Sequence, residues 1–220
     1  YKTEDVFKLV YDKKWTYDKF MEIAKAVTKD EDNDGEPEIW GVALDCSGSE
    51  AWTNGTGPVV FDETTKKWMA NTTDTKFIKA IEFMASLYSE KVCPPKGVEG
   101  ALSNGDRRTM FYSGKAGFAG LFGPQFGDDG KPNGTAHMDA DNRPGLLPMP
   151  MGPDVNEYKM NFVDVDLFVM PTFKNWESGA FIMAKIADAV HDDEEYFEYL
   201  RWDALLGCED SFKVLTEYLL

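Results

Sequence analysis

The sequence is poor in the residues that hold small zinc and disulfide domains together. It contains three cysteines and two histidines in 220 residues, and no two cysteines are spaced as C-x-x-C. An odd number of widely separated cysteines does not make a disulfide framework, although a single bridge remains open. Two histidines, neither at ligand spacing from a cysteine, exclude a histidine-based zinc site. The cysteines therefore do not define the compartment of the protein.

Long apolar runs and an excess of basic residues are also missing. No stretch approaches the roughly 18 to 20 apolar residues that cross a bilayer. Thirty-nine acidic residues against 23 basic residues give a net charge of −16, which disfavours nucleic acid and anionic membranes as partners. With 43% apolar residues the chain can form a packed domain. It opens on Tyr1, so we expect a processed or excised chain, with any signal peptide or anchor outside it.

Short catalytic signatures are absent as well. The chain has no G-x-S-x-G, no G-x-G-x-x-G and no Walker-type lysine loop. Asp164 and Asp166 share one face of a predicted strand at roughly 7 Å, within the range that a glycosidase needs. In a chain with 39 acidic residues, such pairs arise by chance. We therefore interpret the pair as a coincidence, and a glycoside hydrolase that uses Asp164 or Asp166 is the alternative.

Helical and strand patterns alternate along the chain. Thr16 is predicted to cap a helix that runs to Val27, with Trp15 packing on Phe20 as a hydrophobic staple. Further helices are predicted over residues 74–88, 106–112, 175–190, 193–206 and 209–219. Strands are predicted over residues 39–44, 59–62, 67–70, 116–121, 146–149, 159–163 and 166–170, and a long loop over 127–145. The strands over 59–62 and 67–70 are predicted to form a short hairpin. This interleaving predicts an α/β fold.

An acidic loop follows the first predicted helix and has the spacing of a calcium site. The candidate ligands are Asp30, Asp32, Asp34 and Glu36. Carboxylates at alternate positions before the turn-making Gly35 match the first half of an EF-hand loop. The second half departs from that pattern, with Pro37 within it and Gly41 in place of the bidentate glutamate, and Glu38 is a further candidate. The alternative is a solvated acidic turn without a metal.

Aromatic side chains in turn-rich segments suggest a ligand platform. Trp52 lies in a turn-rich stretch where neither helix nor strand burial accounts for a tryptophan, and Phe122 and Phe126 flank Gln125 after a predicted strand. Ligands of open α/β domains collect beyond the carboxyl ends of strands. Aromatic faces beside amide and carboxylate groups suit sugars, which offer C–H faces and hydroxyls. The alternative is that these rings are ordinary core or surface residues.

Four segments in order resemble the C-terminal lobe of an extracellular solute-binding protein of an ABC importer, of the sugar-binding family that includes maltose-binding protein. Residues 14–30 (KWTYDKFMEIAKAVTKD) resemble the family's W-T-W-D-x-F helix and its continuation. Residues 78–95 end on the family's paired prolines. The other two matches are FYSGKA at 111–116 with Gly-Pro at 123–124, and LPMPMGP at 147–153 with FKN at 173–175.

The resemblance implies a periplasmic-binding-protein-like lobe with helices on a central mixed sheet. Residues 1–220 would form this single lobe, and an N-terminal lobe would lie outside the chain. The implied ligand-binding residues are Trp52, Gln125, Phe126 and Asp166, with Gln125 and Phe126 standing where the family often has tryptophan after Gly-Pro. The implied protein is not an enzyme but a monomeric, extracellular or periplasmic lipoprotein. It would have no cofactor beyond a possible structural calcium, and would deliver a mono- or oligosaccharide to ABC permease subunits. A calcium-stabilised surface interaction domain is a further alternative.

Overall fold

Helices and strands alternate in the computed structural model, which describes residues 3–44, 49–95, 104–120, 145–159, 185, 209–214 and 217–218. The helices are α1 Thr3–Tyr11, α2 Tyr17–Val27, α3 Thr75–Ser89, α4 Asn104–Tyr112 and α5 Glu209–Val214, and a 3₁₀ helix spans Ser49–Asn54. The strands are β1 Trp40–Ala43, β2 Val59–Asp62, β3 Lys67–Ala70 and β4 Ala116–Ala119. One parallel and one antiparallel pair accompany the helices, which confirms the α/β class.

Helix α2 begins as its sequence predicts. The Thr16 hydroxyl accepts a hydrogen bond from the backbone N–H of Lys19 at 3.4 Å and so serves a donor that has no partner within the helix. The rings of Trp15 and Phe20 meet edge to face with their centroids 5.5 Å apart, which confirms the hydrophobic staple. The helix ends at Thr28, whose backbone N–H and hydroxyl both donate to Ala24 O.

Strands β1 and β4 form a parallel pair, and helix α2 packs against both strands. Trp40 lies opposite Ala116, and Ala43 lies opposite Ala119. Val42 is buried in the main hydrophobic cluster, and Phe118 packs against it. Because the strands run in the same direction, their carboxyl ends reach the same edge of the sheet.

The main core joins segments that lie far apart in the sequence. Its largest fully buried side chain is Trp15, whose indole N–H donates to Pro148 O at 2.9 Å. Helix α1, which is not among the predicted elements, contributes one face. The buried residues of the cluster are Val6, Phe7, Val10, Trp15, Phe20, Ile23, Ala24, Val42, Leu44, Leu87, Val92, Cys93, Met151, Tyr158 and Val214.

The strand predicted over 146–149 is wrong. Residues 145–150 have no regular secondary structure, although Pro148 and Pro150 are buried. Proline has no backbone N–H and cannot donate to a strand ladder. The backbone of this segment instead serves other elements: Leu146 N donates to the Ser211 hydroxyl, and Pro148 O accepts from Trp15. The apolar residues of this segment are thus at least partly buried, but the segment does not pair with a strand.

Strands β2 and β3 form the predicted hairpin, with Phe61 opposite Trp68. The spacing in α3 predicts a buried stripe that consists of Phe77, Ile81, Met84, Ala85 and Tyr88. This stripe is only partly right, because Met84 is buried but Ala85 is exposed, whereas Ala80 and Leu87 are buried as well. The predicted elements over 160–206 and the loop over 127–144 lie outside the described residues, apart from Lys185, which is helical.

Within the described ranges, no helix combines the length and the apolar character that crossing a bilayer requires.

Candidate functional site

The acidic loop, residues 30–38, is closed at its base by an antiparallel bridge. Lys29 N donates to Ile39 O at 2.8 Å, and Ile39 N donates to Lys29 O at 3.2 Å. The bridge follows the end of α2 and directly precedes β1. Both ends of the loop are therefore held by elements that belong to the core.

The aspartate side chains of the acidic loop stabilise its turns by accepting hydrogen bonds from backbone N–H groups of the same loop. Asp32 accepts from Asp34 N at 3.0 Å, and Asp34 accepts from Glu36 N at 2.8 Å. Asp30 accepts from Gly35 N at 2.9 Å. Gly35 has a φ of +93°, a conformation that favours glycine. The alternation of aspartates in the sequence thus corresponds to successive turns, each stabilised by a side-chain oxygen.

Four carboxylates converge in this loop. Asp30, Asp32, Asp34 and Glu38 each offer one oxygen, and these oxygens all lie within 4.8 Å of one another. Oxygens that share one calcium ion at about 2.4 Å lie within about 4.8 Å of each other. Oδ1 of Asp30 is buried and has no hydrogen-bond partner among the described residues, an arrangement that is costly without a cation. The group could hold a metal ion.

Glu36 and Glu38 have different partners. The Lys91 ammonium group forms an ion pair with Glu36 at 2.9 Å and also donates to Gly35 O. The carboxylate of Glu38 lies with the three aspartates and accepts from Glu31 N at 2.6 Å. The sequence placed Glu36 in the ligand set and Glu38 as a further candidate, and the converging carboxylate is that of Glu38. In EF-hand loops the residue at the position of Glu36 binds the ion through its backbone carbonyl. Glu36 can therefore still act as a ligand through its main chain.

The ligand chemistry of the loop suits a hard cation. All four converging groups are carboxylates, without a nitrogen or sulfur ligand, and such sets prefer calcium or magnesium. Asp32, Asp34 and Glu38 are exposed, and the bidentate glutamate of an EF-hand is replaced by Gly41. An exposed site without a bidentate ligand resembles the weak calcium sites of extracellular modules.

Trp52 lies on the 3₁₀ helix, with 40% of its surface exposed. Its indole lies directly against Gly57, where a Cβ would come within 2.6 Å of two ring atoms. Any larger residue at that position would displace the ring. One side of the indole is therefore supported by backbone, and the exposed remainder is available for stacking.

The 3₁₀ helix is tied to α2 and to the segment around residue 152. The hydroxyls of Tyr17 and Thr53 share a buried hydrogen bond of 2.5 Å. Thr53 O accepts from Gly152 N at 2.9 Å. The Tyr17 ring stacks on Phe83 of α3 with centroids 3.9 Å apart. Thr53, the residue next to Trp52, is therefore hydrogen-bonded to two different parts of the fold, and Tyr17 links it indirectly to α3.

The sequence did not predict the roles of Thr53, Lys91 and Tyr17 at these sites. Lys91 reaches the acidic loop across 55 positions and Thr53 meets Tyr17 across 36, so no local spacing could show these contacts. Of the predicted ligand-binding residues, Trp52 is placed by the structure. Gln125, Phe126 and Asp166, as well as Asp164, lie outside the described residues.

No family model matches the chain, and no curated protein matches it either. The functional assignment therefore rests on the residues and on their geometry.

Proposed function

We propose that the chain is a non-catalytic lobe of an extracellular solute-binding protein that delivers a sugar to an ABC importer. The order of four sequence segments supports the family, and the exposed indole of Trp52 supports a ligand with apolar C–H faces. The proposal includes the periplasmic-binding-protein-like lobe and an export route that ends at the outer face of the cell membrane.

The observation that carries the proposal is the parallel pairing of β1 with β4. The chain leaves both strands at the same edge of the sheet, at Ala43 and Ala119. Trp52 follows Ala43 by nine positions, and Gln125 follows Ala119 by six. Two separate candidate segments for the ligand therefore begin at one edge, which is where open α/β sheets bind their ligands.

In this proposal the lobe binds and does not react. Trp52 and Phe126 stack on the sugar, whereas Gln125 and Asp166 hydrogen-bond its hydroxyls. Closure of a second lobe over the ligand captures it, and the closed form is presented to the permease subunits.

Thermal denaturation of the full-length, two-lobed protein with a panel of mono- and oligosaccharides tests the proposal. A bound sugar raises the melting temperature, and chromogenic glycosides give no product. Trp52→Ala removes the sugar-dependent shift, whereas Trp68→Ala, a matched loss of an indole that is 72% exposed on the hairpin, retains it. Absence of a shift with every sugar contradicts the sugar assignment, and glycoside turnover supports the enzyme alternative.

We further propose that the acidic loop binds calcium as a structural ion. The convergence of four carboxylates within 4.8 Å and the unpartnered Oδ1 of Asp30 support this assignment. Calorimetric titration of chelator-treated protein should give about one equivalent of calcium with a dissociation constant of about 10⁻⁴ to 10⁻³ M. Absence of heat at millimolar calcium contradicts it, and magnesium serves as the comparison ion.

A further inference from the structure

Asn54, at the end of the 3₁₀ helix, connects three distant segments through its amide. Its Nδ2 donates to Lys76 O and to Oδ2 of Asp154, both at 2.9 Å. Its Oδ1 accepts from Asp154 N at 2.9 Å. The Asn54 side chain itself is fully buried, so its amide depends on these partners for its hydrogen bonds. A single residue thus joins the 3₁₀ helix to α3 and to the segment around residue 154.

A charged pair completes this arrangement. The Lys79 ammonium group donates to both carboxylate oxygens of Asp154, at 2.7 and 3.0 Å. The pKa of the Asp154 carboxyl is lowered, first by the hydrogen bond from Lys79 and then by that from Asn54. Lys76, the other cation that acts on this carboxyl, favours its ionised form as well. We call Asn54, Lys79 and Asp154 the polar clamp.

The polar clamp holds the end of the 3₁₀ helix that carries Trp52. A 3₁₀ helix of six residues has poor hydrogen-bond geometry and little stability of its own. An indole with 40% of its surface exposed gains only part of the packing that would hold a core tryptophan in place. Asn54 stands two positions after Trp52, so its bonds hold the backbone that carries the indole.

We infer that Asn54 and Asp154 are positioning residues that fix the orientation of the Trp52 indole before a ligand arrives. Lys79 keeps the Asp154 carboxylate in place for Asn54. The consequence for solute affinity rests on the proposed function, because it assumes that Trp52 stacks on the solute. A preorganised ring avoids the entropy cost of ordering upon binding.

Fluorine NMR of protein labelled with 5-fluorotryptophan tests the inference without any solute. The chain has six tryptophans, and Trp52→Phe identifies the Trp52 resonance. Asp154→Ala should shift or broaden this resonance and leave that of Trp68 unchanged. Asp154→Asn should restore it, because asparagine retains an acceptor for Asn54. Glu63→Ala, which breaks an exposed carboxylate–lysine pair in the hairpin turn, is the matched control.

The inference is overturned if the Trp52 resonance is unchanged in Asp154→Ala, or if all six resonances move together, which indicates a general loss of packing. Lys79→Met gives a second variant that leaves the Asn54 bonds possible, and its Trp52 resonance should shift less than that of Asp154→Ala. An equal or larger shift contradicts the assigned roles. Where a sugar binds, Asp154→Ala should raise its dissociation constant about two- to tenfold. If no sugar binds, the proposed function fails while the resonance test still stands.

Discussion

Calcium should stabilise the fold through the acidic loop. The replacement of one carboxylate in this loop should therefore lower stability when calcium is present but not when calcium is absent. Asp30→Asn keeps the shape of the side chain and removes one of four converging charges. Two like charges 4.8 Å apart in water repel by about 1 kcal/mol. Without calcium, the variant should therefore unfold at the same temperature as the parent or at a higher one. With calcium, it should unfold at a lower one.

The magnitude follows from the exposure and the ligand set of the loop. A dissociation constant of about 10⁻⁴ to 10⁻³ M, typical of weak extracellular sites, gives about 1.4 to 2.7 kcal/mol of stabilisation at 10 mM calcium. For a chain of this length, each kcal/mol raises the melting temperature by about 2–4 °C. The expected increase for the parent protein is therefore about 3–11 °C.

Differential scanning calorimetry with and without calcium measures this increase directly. Glu36→Gln is the matched control, because Glu36 pairs with Lys91 outside the converging group, and it should keep the calcium response. Glu38→Gln should lose most of it. The reasoning is refuted if the parent does not respond at 10 mM calcium, or if Glu36→Gln loses the response while Glu38→Gln keeps it.

Three further predictions concern the cap, the indole and a buried phenol. Thr16→Ala removes the acceptor for Lys19 N and should lower the melting temperature by about 2–4 °C, for a cost of about 1 kcal/mol. Thr16→Ser should not. Gly57→Ala should displace the Trp52 ring and weaken sugar binding in a titration, and unchanged affinity contradicts the contact. Burial raises the pKa of Tyr158 to about 12. Because the unfolded chain releases this proton near pH 10, stability should fall between about pH 10 and 12 in alkaline denaturation, and Tyr158→Phe should remove that part of the loss.

Local signals in the sequence were sufficient for elements whose partners lie close by along the chain. The cap at Thr16, the staple between Trp15 and Phe20, and the hairpin depend on contacts within a few positions, and all three are confirmed. The strand predicted over 146–149 was wrong because apolar character signals burial but does not specify sheet pairing. Helix α1 was missed although Thr3, Glu4 and Asp5 are typical of a helix start.

In the candidate site as well, the features that depend on local contacts were predicted, and those that depend on distant residues were not. Alternating aspartates predicted the acidic loop, because each folds its own turn. The choice between Glu36 and Glu38 depended on Lys91, which lies 55 positions away from Glu36. Support for Trp52 comes from Asp154, which meets Asn54 across 100 positions. Contacts of this kind are set by tertiary packing and leave no local pattern.

The parallel pairing of β1 with β4 also has a consequence for biosynthesis. Ala116 lies 76 positions after its partner Trp40, and a ribosome adds about 5–20 residues per second. Strand β1 therefore waits about 4–15 s for its partner after it has been synthesised. During that interval α2, the hairpin and α3 can form from local contacts, whereas β1 presents an unpaired edge that favours association between nascent chains. We therefore expect β1 to need protection by a chaperone until β4 has been synthesised.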